Sequence, residues 1–232
     1  MKKIFSLIII IISANAWTQT QTKDFEITKV SLRGDGCKNY EPSKVLSTDQ
    51  TQLSVLFDDF NVTYPPRLAS TGPSDYRMCN IGINFVTQKN IKITKLEVEY
   101  DLRGYTYLQP GIDVNLMASI ISITKKKNGE NKYSPVATKT ENLIAKKWGH
   151  PKAEFDVDES WTIQESKTID APFTCVKDDQ TNWQISINNR MMLYAHSKAF
   201  QNKHVGQVYV DTADFKSRIK LKATYQYTQN CQ

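Results

Sequence analysis

The chain has 232 residues, of which 40% are hydrophobic and 23% are charged, and its formal net charge at pH 7 is +6. This length suits one domain, and a chain of this size can bury a core that does not depend on a bound metal. The positive charge is small and interspersed along the chain, which argues against a dedicated nucleic-acid binder.

The first sixteen residues have the three parts of a cleavable export signal. Lys2 and Lys3 precede an apolar run over residues 4–12, and small residues end the segment at Ala16. Cleavage is therefore expected after Ala16, although an uncleaved anchor is the alternative. The apolar run is shorter than the roughly 18–20 residues that a membrane-spanning helix needs, and no second long run follows. We expect a secreted or periplasmic protein with no transmembrane segment in the mature chain.

The rest of the chain predicts a short arm and one domain. Residues 17–29 begin with a stretch rich in Thr, Gln and Lys, which is typical of a loose N-terminal arm. Residues 30–232 are expected to form the folded domain.

Four cysteines occur, an even number that predicts two disulfides in an oxidising compartment. They are Cys37, Cys79, Cys175 and Cys231. Pairing neighbours along the chain gives Cys37–Cys79 and Cys175–Cys231, while two other connectivities and free thiols remain open. No spacing is C-x-x-C, which argues against a zinc or thioredoxin-like site.

Apolar and polar residues alternate with the period of a β-strand in several segments. The clearest are residues 79–85, 96–103, 112–120 and 218–227, and further strands are expected at 53–57, 183–193 and 208–210. Asn128-Gly129 is a hairpin signal, and no stretch of ten residues keeps a helical period. The pattern predicts an all-β fold, a single antiparallel β-sandwich of the jelly-roll or immunoglobulin-like kind with two disulfides.

One strand face offers candidate binding residues. The alternation places Arg103, Tyr105 and Tyr107 on one face together with the acidic residues Glu97, Glu99 and Asp101. An arginine and two tyrosines beside carboxylates are suited to sugar rings or a protein partner. The alternative is that Gly104 marks a β-bulge and the tyrosines turn into the core or cap a sheet edge.

No catalytic or metal-binding pattern stands out. The chain has three histidines without zinc-site spacing and no G-x-S-x-G sequence. The acidic run over residues 156–160 lacks the glycine and distal glutamate of an EF-hand calcium loop, which favours a solvated acidic loop. We therefore expect no cofactor and no metal.

Several short segments, taken in order, resemble a known family. They include Gly36-Cys37, a strand at 53–60, Arg77-Met78-Cys79-Asn80 and the sequence Tyr100-Asp101-Leu102-Arg103-Gly104-Tyr105. The set is similar to the secreted four-cysteine family known as domain of unknown function 4360. The resemblance implies export, disulfides and a β-sandwich, and it supplies no activity.

These observations favour a non-enzymatic extracellular binding module whose partner is a carbohydrate or a cell-surface component. A structural or envelope-associated protein without a small ligand is one alternative. The other is a secreted hydrolase whose acidic residues meet only in the fold. The sequence does not set the oligomeric state.

Overall fold

A computed structural model describes residues 25–37, 44–46, 53–55, 60–66, 72–127, 134–137, 141–170, 180–210 and 218–227. The strands, in chain order, are β1 (Phe25–Arg33), β2 (Lys44–Leu46), β3 (Leu53–Val55), β4 (Asn61–Tyr64), β5 (Ser74–Gln88), β6 (Ile91–Leu108), β7 (Ile112–Lys127), β8 (Ser134–Ala137), β9 (Glu141–Gly149), β10 (Val157–Asp170), β11 (Gln180–Ala195), β12 (Gly206–Val210) and β13 (Arg218–Tyr227). A 3-10 turn, Asp35–Cys37, follows β1, and a short helix, α1 (Ser197–Gln201), follows β11. The predicted all-β fold is confirmed.

The long strands form two antiparallel sheets. The six-stranded sheet has the order β1-β5-β11-β7-β8, with β9 also paired to β7. The five-stranded sheet has the order β10-β6-β12-β4, with β13 also paired to β6, and β2 and β3 form a separate pair. Because β5 and β7 lie in one sheet and β6 in the other, the chain passes between layers along these three strands. This is the β-sandwich that the alternation predicted.

The core lies between the inner faces of the two sheets. Leu96 and Val98 of β6 are fully buried in the same apolar cluster as Ile83 of β5 and Ile185 of β11. Alternate residues of these strands point to opposite faces, so every second side chain enters this cluster. Each aliphatic side chain of this size stabilises the fold by roughly 1.5–3 kcal/mol when it leaves water.

Each sheet also buries a tryptophan whose indole N–H is satisfied by a threonine on the neighbouring strand. Trp183 of β11 donates to Thr87 Oγ1 over 2.9 Å, and Trp161 of β10 donates to Thr106 Oγ1 over 2.9 Å. Trp183 also stacks on Phe85, with ring centroids 6.3 Å apart. The hydrogen bonds let both large rings lie in the core without leaving a buried donor unpaired.

The first predicted disulfide is present. Cys37, at the end of the 3-10 turn, is joined to Cys79 of β5, with 5.4 Å between their Cα atoms. Asp35 supports the same turn, because its Oδ1 accepts a hydrogen bond of 2.8 Å from the Met78 N–H. A crosslink across 42 residues is expected to stabilise the fold by about 4 kcal/mol. Cys175 and Cys231 lie outside the described residues.

Three expectations from the sequence need correction. β1 begins at Phe25 and pairs with β5 along its length, so the last residues of the proposed arm belong to the sheet. The sequence pattern did not indicate α1, because five residues are too few to show a helical period. The acidic run was interpreted as a loop, but β10 begins at Val157 and includes Asp158 and Glu159.

No helix among the described residues is both long and apolar enough to cross a membrane.

Candidate functional site

The candidate residues of β6 face outward. Arg103 is exposed and Tyr105 and Tyr107 are half-buried, while Leu102, Gly104, Thr106 and Leu108 between them are buried. Both neighbouring strands keep their register across this stretch, with Trp161 of β10 and Val210 of β12 opposite Gly104. There is no bulge at Gly104, and the alternative in which the tyrosines enter the core is wrong.

Gly104 is required for close packing beneath this face. A methyl group at its Cβ position would overlap the ring of Trp161 and the backbone carbonyl of Tyr209. Trp161 also packs against Trp148 of β9, with ring centroids 5.0 Å apart. A glycine in the interior of a strand often marks such an approach, and here it lets β12 and an indole ring lie directly against β6.

The hydroxyl groups of the two tyrosines are held by two aspartates, one just before β10 and one at its second residue. Tyr105 Oη donates to Asp158 Oδ1 over 2.6 Å, and Tyr107 Oη donates to Asp156 Oδ2 over 3.2 Å. These bonds fix the two rings in place while both aspartates stay exposed. The sequence could not assign this role, because the partners are 53 and 49 residues apart.

The same contacts raise the pKa of both hydroxyls. The hydrogen bond to Asp158, with smaller contributions from partial burial and the nearby negative charge, raises the pKa of Tyr105 above its ordinary value. Partial burial, followed by the hydrogen bond to Asp156, raises the pKa of Tyr107. At neutral pH both hydroxyls therefore act as donors to carboxylates.

A third tyrosine completes the surface. Tyr209 of β12 lies opposite Tyr105, with ring centroids 5.7 Å apart and ring planes inclined at 38°. Gln207 lies opposite Tyr107 in the same register. We call Tyr105, Tyr107 and Tyr209 the tyrosine platform. The sequence predicted the strand at 208–210 but missed Tyr209 as a site residue, since nothing local indicates that β12 pairs with β6.

The acidic part of the predicted strip is separate from this platform. Glu99 Oε2 forms an ion pair of 3.1 Å with Lys220 Nζ of β13, and Glu97 Oε1 accepts a hydrogen bond of 2.7 Å from Ser166 Oγ of β10. Exposed pairs of this kind contribute at most about 1 kcal/mol to stability. These contacts nonetheless engage the carboxylates of Glu97 and Glu99 with neighbouring strands, so this acidic part of the strip does not belong to the platform.

The arrangement is suited to binding. Aromatic rings provide apolar area, carboxylates accept hydrogen bonds and Arg103 donates them. Among the described residues, no three His, Cys, Asp or Glu side chains are grouped closely enough to hold a metal ion.

Comparison with known proteins identifies the family. A family profile described as "Domain of unknown function (DUF4360)" matches residues 23–231. The chain belongs to this family. The match covers nearly the whole DUF4360 chain, including all four cysteines. No curated protein matches it.

One solved structure similar to this DUF4360 protein is that of TmCBM61 in complex with β-1,4-galactotriose. The sequence identity is 9% and the TM-score is 0.23, and the match covers 80% of this chain and 91% of the other.

Proposed function

We propose that this DUF4360 protein is an exported, non-enzymatic binding module that holds carbohydrate on the surface formed by Arg103, Tyr105 and Tyr107. The observation that carries the proposal is the fixing of two outward-facing tyrosines by Asp156 and Asp158. Rings that are already held in place lose little conformational freedom on binding, so more of the contact energy appears as affinity.

The other observations concern the setting of this surface. The N-terminal signal pattern supports export, and the Cys37–Cys79 disulfide is typical of oxidising compartments outside the cytosol. A β-sandwich that is crosslinked by a disulfide is a rigid support, and binding sites on strands are held more precisely than sites on loops.

The test is a comparison of two double variants of the oxidised mature protein. Tyr105→Ala with Tyr107→Ala removes the surface, whereas Tyr76→Ala with Tyr194→Ala removes two tyrosines from the outer face of the six-stranded sheet, where they are 41% and 40% exposed. Binding is measured by pull-down with insoluble polysaccharides and by affinity electrophoresis with soluble ones, and melting temperatures are recorded for each variant.

We expect the first double variant to lose affinity at least about tenfold with only a small decrease in melting temperature, because each aromatic contact contributes on the order of 1 kcal/mol. The second double variant should bind like the wild type. Equal losses in both, or a wild type that binds no polysaccharide, would contradict the proposal. Polysaccharide cleavage that disappears in Asp156→Asn would favour the hydrolase.

A further inference from the structure

The tyrosine platform extends across two strands and lies beside a fixed negative charge. From this we infer that its ligand is an uncharged polysaccharide chain lying across β6 and β12, with Tyr209 as a third contact residue, and not an acidic polysaccharide. The inference rests on the proposed function and specifies the ligand class of the same surface.

The first argument is the continuity of the surface across strands. Tyr209 stands directly opposite Tyr105, and Gln207 stands opposite Tyr107, so ring and amide side chains from β12 extend the face of β6. Asn61 of β4 lies opposite Tyr209 on the next strand. The segments Asn61–Tyr64 and Gly206–Val210 contain no charged residue. A chain crossing these strands would therefore meet rings, amides and hydroxyls.

The second argument is the state of the two aspartates. Each accepts a hydrogen bond from a tyrosine hydroxyl through one oxygen, Oδ1 of Asp158 and Oδ2 of Asp156. A carboxylate has about four acceptor positions, so each can also accept hydrogen bonds from sugar hydroxyls. A uronate or sulfate group would instead bring a second negative charge to the same place, and like charges at an interface are unfavourable.

The third argument concerns the position of Arg103. Arg103 lies opposite Thr162 of β10, whereas Asp158 lies opposite Tyr107. The arginine is therefore at one end of the platform, and the carboxylates are at the other. From one end Arg103 can donate hydrogen bonds to hydroxyl or ring oxygens, whereas a ligand at the other end meets carboxylates.

The experiment compares two sets of polysaccharides and two sets of variants. Cellulose, xylan and mannan are the neutral probes, and polygalacturonate and alginate are the anionic ones, all at low and at moderate salt because screening weakens charge effects. Tyr209→Ala tests the third ring. Asp156→Asn with Asp158→Asn removes the charge but keeps an acceptor for each tyrosine. Glu99→Gln is the matched control, since it removes a carboxylate from the same face away from the platform.

We expect the wild type to bind at least one neutral probe and neither anionic one. Tyr209→Ala should weaken neutral binding about tenfold without changing the melting temperature. The double aspartate variant should weaken neutral binding and gain measurable binding to polygalacturonate, and Glu99→Gln should change neither.

The other outcomes overturn either the inference alone or both proposals. Binding that needs Tyr105 and Tyr107 but prefers an anionic probe would overturn the inference and leave the proposed function in place. The same holds for neutral binding that is insensitive to both Tyr209→Ala and the aspartate variant. Absence of tyrosine-dependent binding to any probe would overturn both proposals.

Discussion

The two outer faces of the sandwich are built from the same alternating strands but use their outward side chains differently. On the six-stranded sheet the outward residues form an amide face of Asn80, Asn84, Gln184 and Asn188, all half-buried. Two of them bond to each other across strands, with a 2.6 Å hydrogen bond from Asn188 Nδ2 to Asn80 Oδ1. On the five-stranded sheet the hydrogen bonds run from tyrosine hydroxyls to aspartates, and they hold rings in place.

The comparison shows that exposure of a tyrosine does not by itself identify a site. Tyr76 and Tyr194 on the six-stranded sheet are 41% and 40% exposed, whereas Tyr105 and Tyr107 are half-buried. The platform differs in that two of its hydroxyls are fixed by carboxylates and that two of its rings, Tyr105 and Tyr209, lie 5.7 Å apart. Fixed geometry and adjacency distinguish a binding surface from scattered aromatic residues.

The largest expected difference between the two faces concerns a pair of strand glycines. Gly104→Ala should lower the free energy of unfolding by about 2 kcal/mol or more, because the added methyl group meets the Tyr209 backbone carbonyl and the Trp161 ring. Gly82→Ala, on the amide face, should cost less than about 1 kcal/mol, since its nearest obstacle is the end of the Ser31 side chain at 2.6 Å. Urea unfolding of both variants checks this, and equal losses would contradict the packing described beneath the platform.

A smaller effect on stability is expected from a substitution on the amide face. Asn188→Ala removes the hydrogen bond to Asn80 and should lower the free energy of unfolding by about 1 kcal/mol. Polysaccharide binding should not change, because the substitution is on the face opposite the platform. Thermal melts and the same pull-down measure the two effects. A loss of binding at an unchanged melting temperature would move the site to the amide face.

The smallest effect is a shift in alkaline titration. Because the pKa of Tyr105 and of Tyr107 is raised in the folded protein, their contribution to stability is present below about pH 10 and is lost as the pH rises through the folded-state values. Ultraviolet titration of the wild type against Tyr105→Phe should show that this hydroxyl ionises above pH 10. Asp158→Asn should bring its pKa closer to the ordinary value, since the hydrogen bond to Asp158 is the largest cause of the shift. Ionisation of Tyr105 below pH 10 would contradict the geometry.

Much of the fold followed from local patterns. The alternation at 79–85 and 96–103 predicted the centres of β5 and β6, and it placed Arg103, Tyr105 and Tyr107 on one face. β10 was missed because it is an edge strand of its sheet, where most side chains meet solvent. Only a few of its residues, such as Trp161 and Ile163, are buried, so its pattern resembles an acidic loop.

The rest of the site could not be predicted because it depends on pairing between distant segments. Tyr209 belongs to the platform only because β12 lies beside β6, and Asp156 and Asp158 only because β10 lies on the other side. Alternation tells which face a residue occupies but not which strand is its neighbour. In the same way, a glycine at position 104 is compatible with a β-bulge when only the sequence is considered. Its packing role could not be predicted, because it depends on Trp161 and Tyr209 of the neighbouring strands.

The most direct test of the account is a map of where a neutral oligosaccharide mixture, prepared from xylan or cellulose, contacts the oxidised mature protein. Backbone amide shifts in NMR spectra would be followed during titration with this mixture. The account predicts that shifts concentrate at residues 103–107, 156–160 and 207–209, and that Asn80 and Asn188 are unaffected. Shifts centred on the amide face, with the tyrosine platform unchanged, would contradict it.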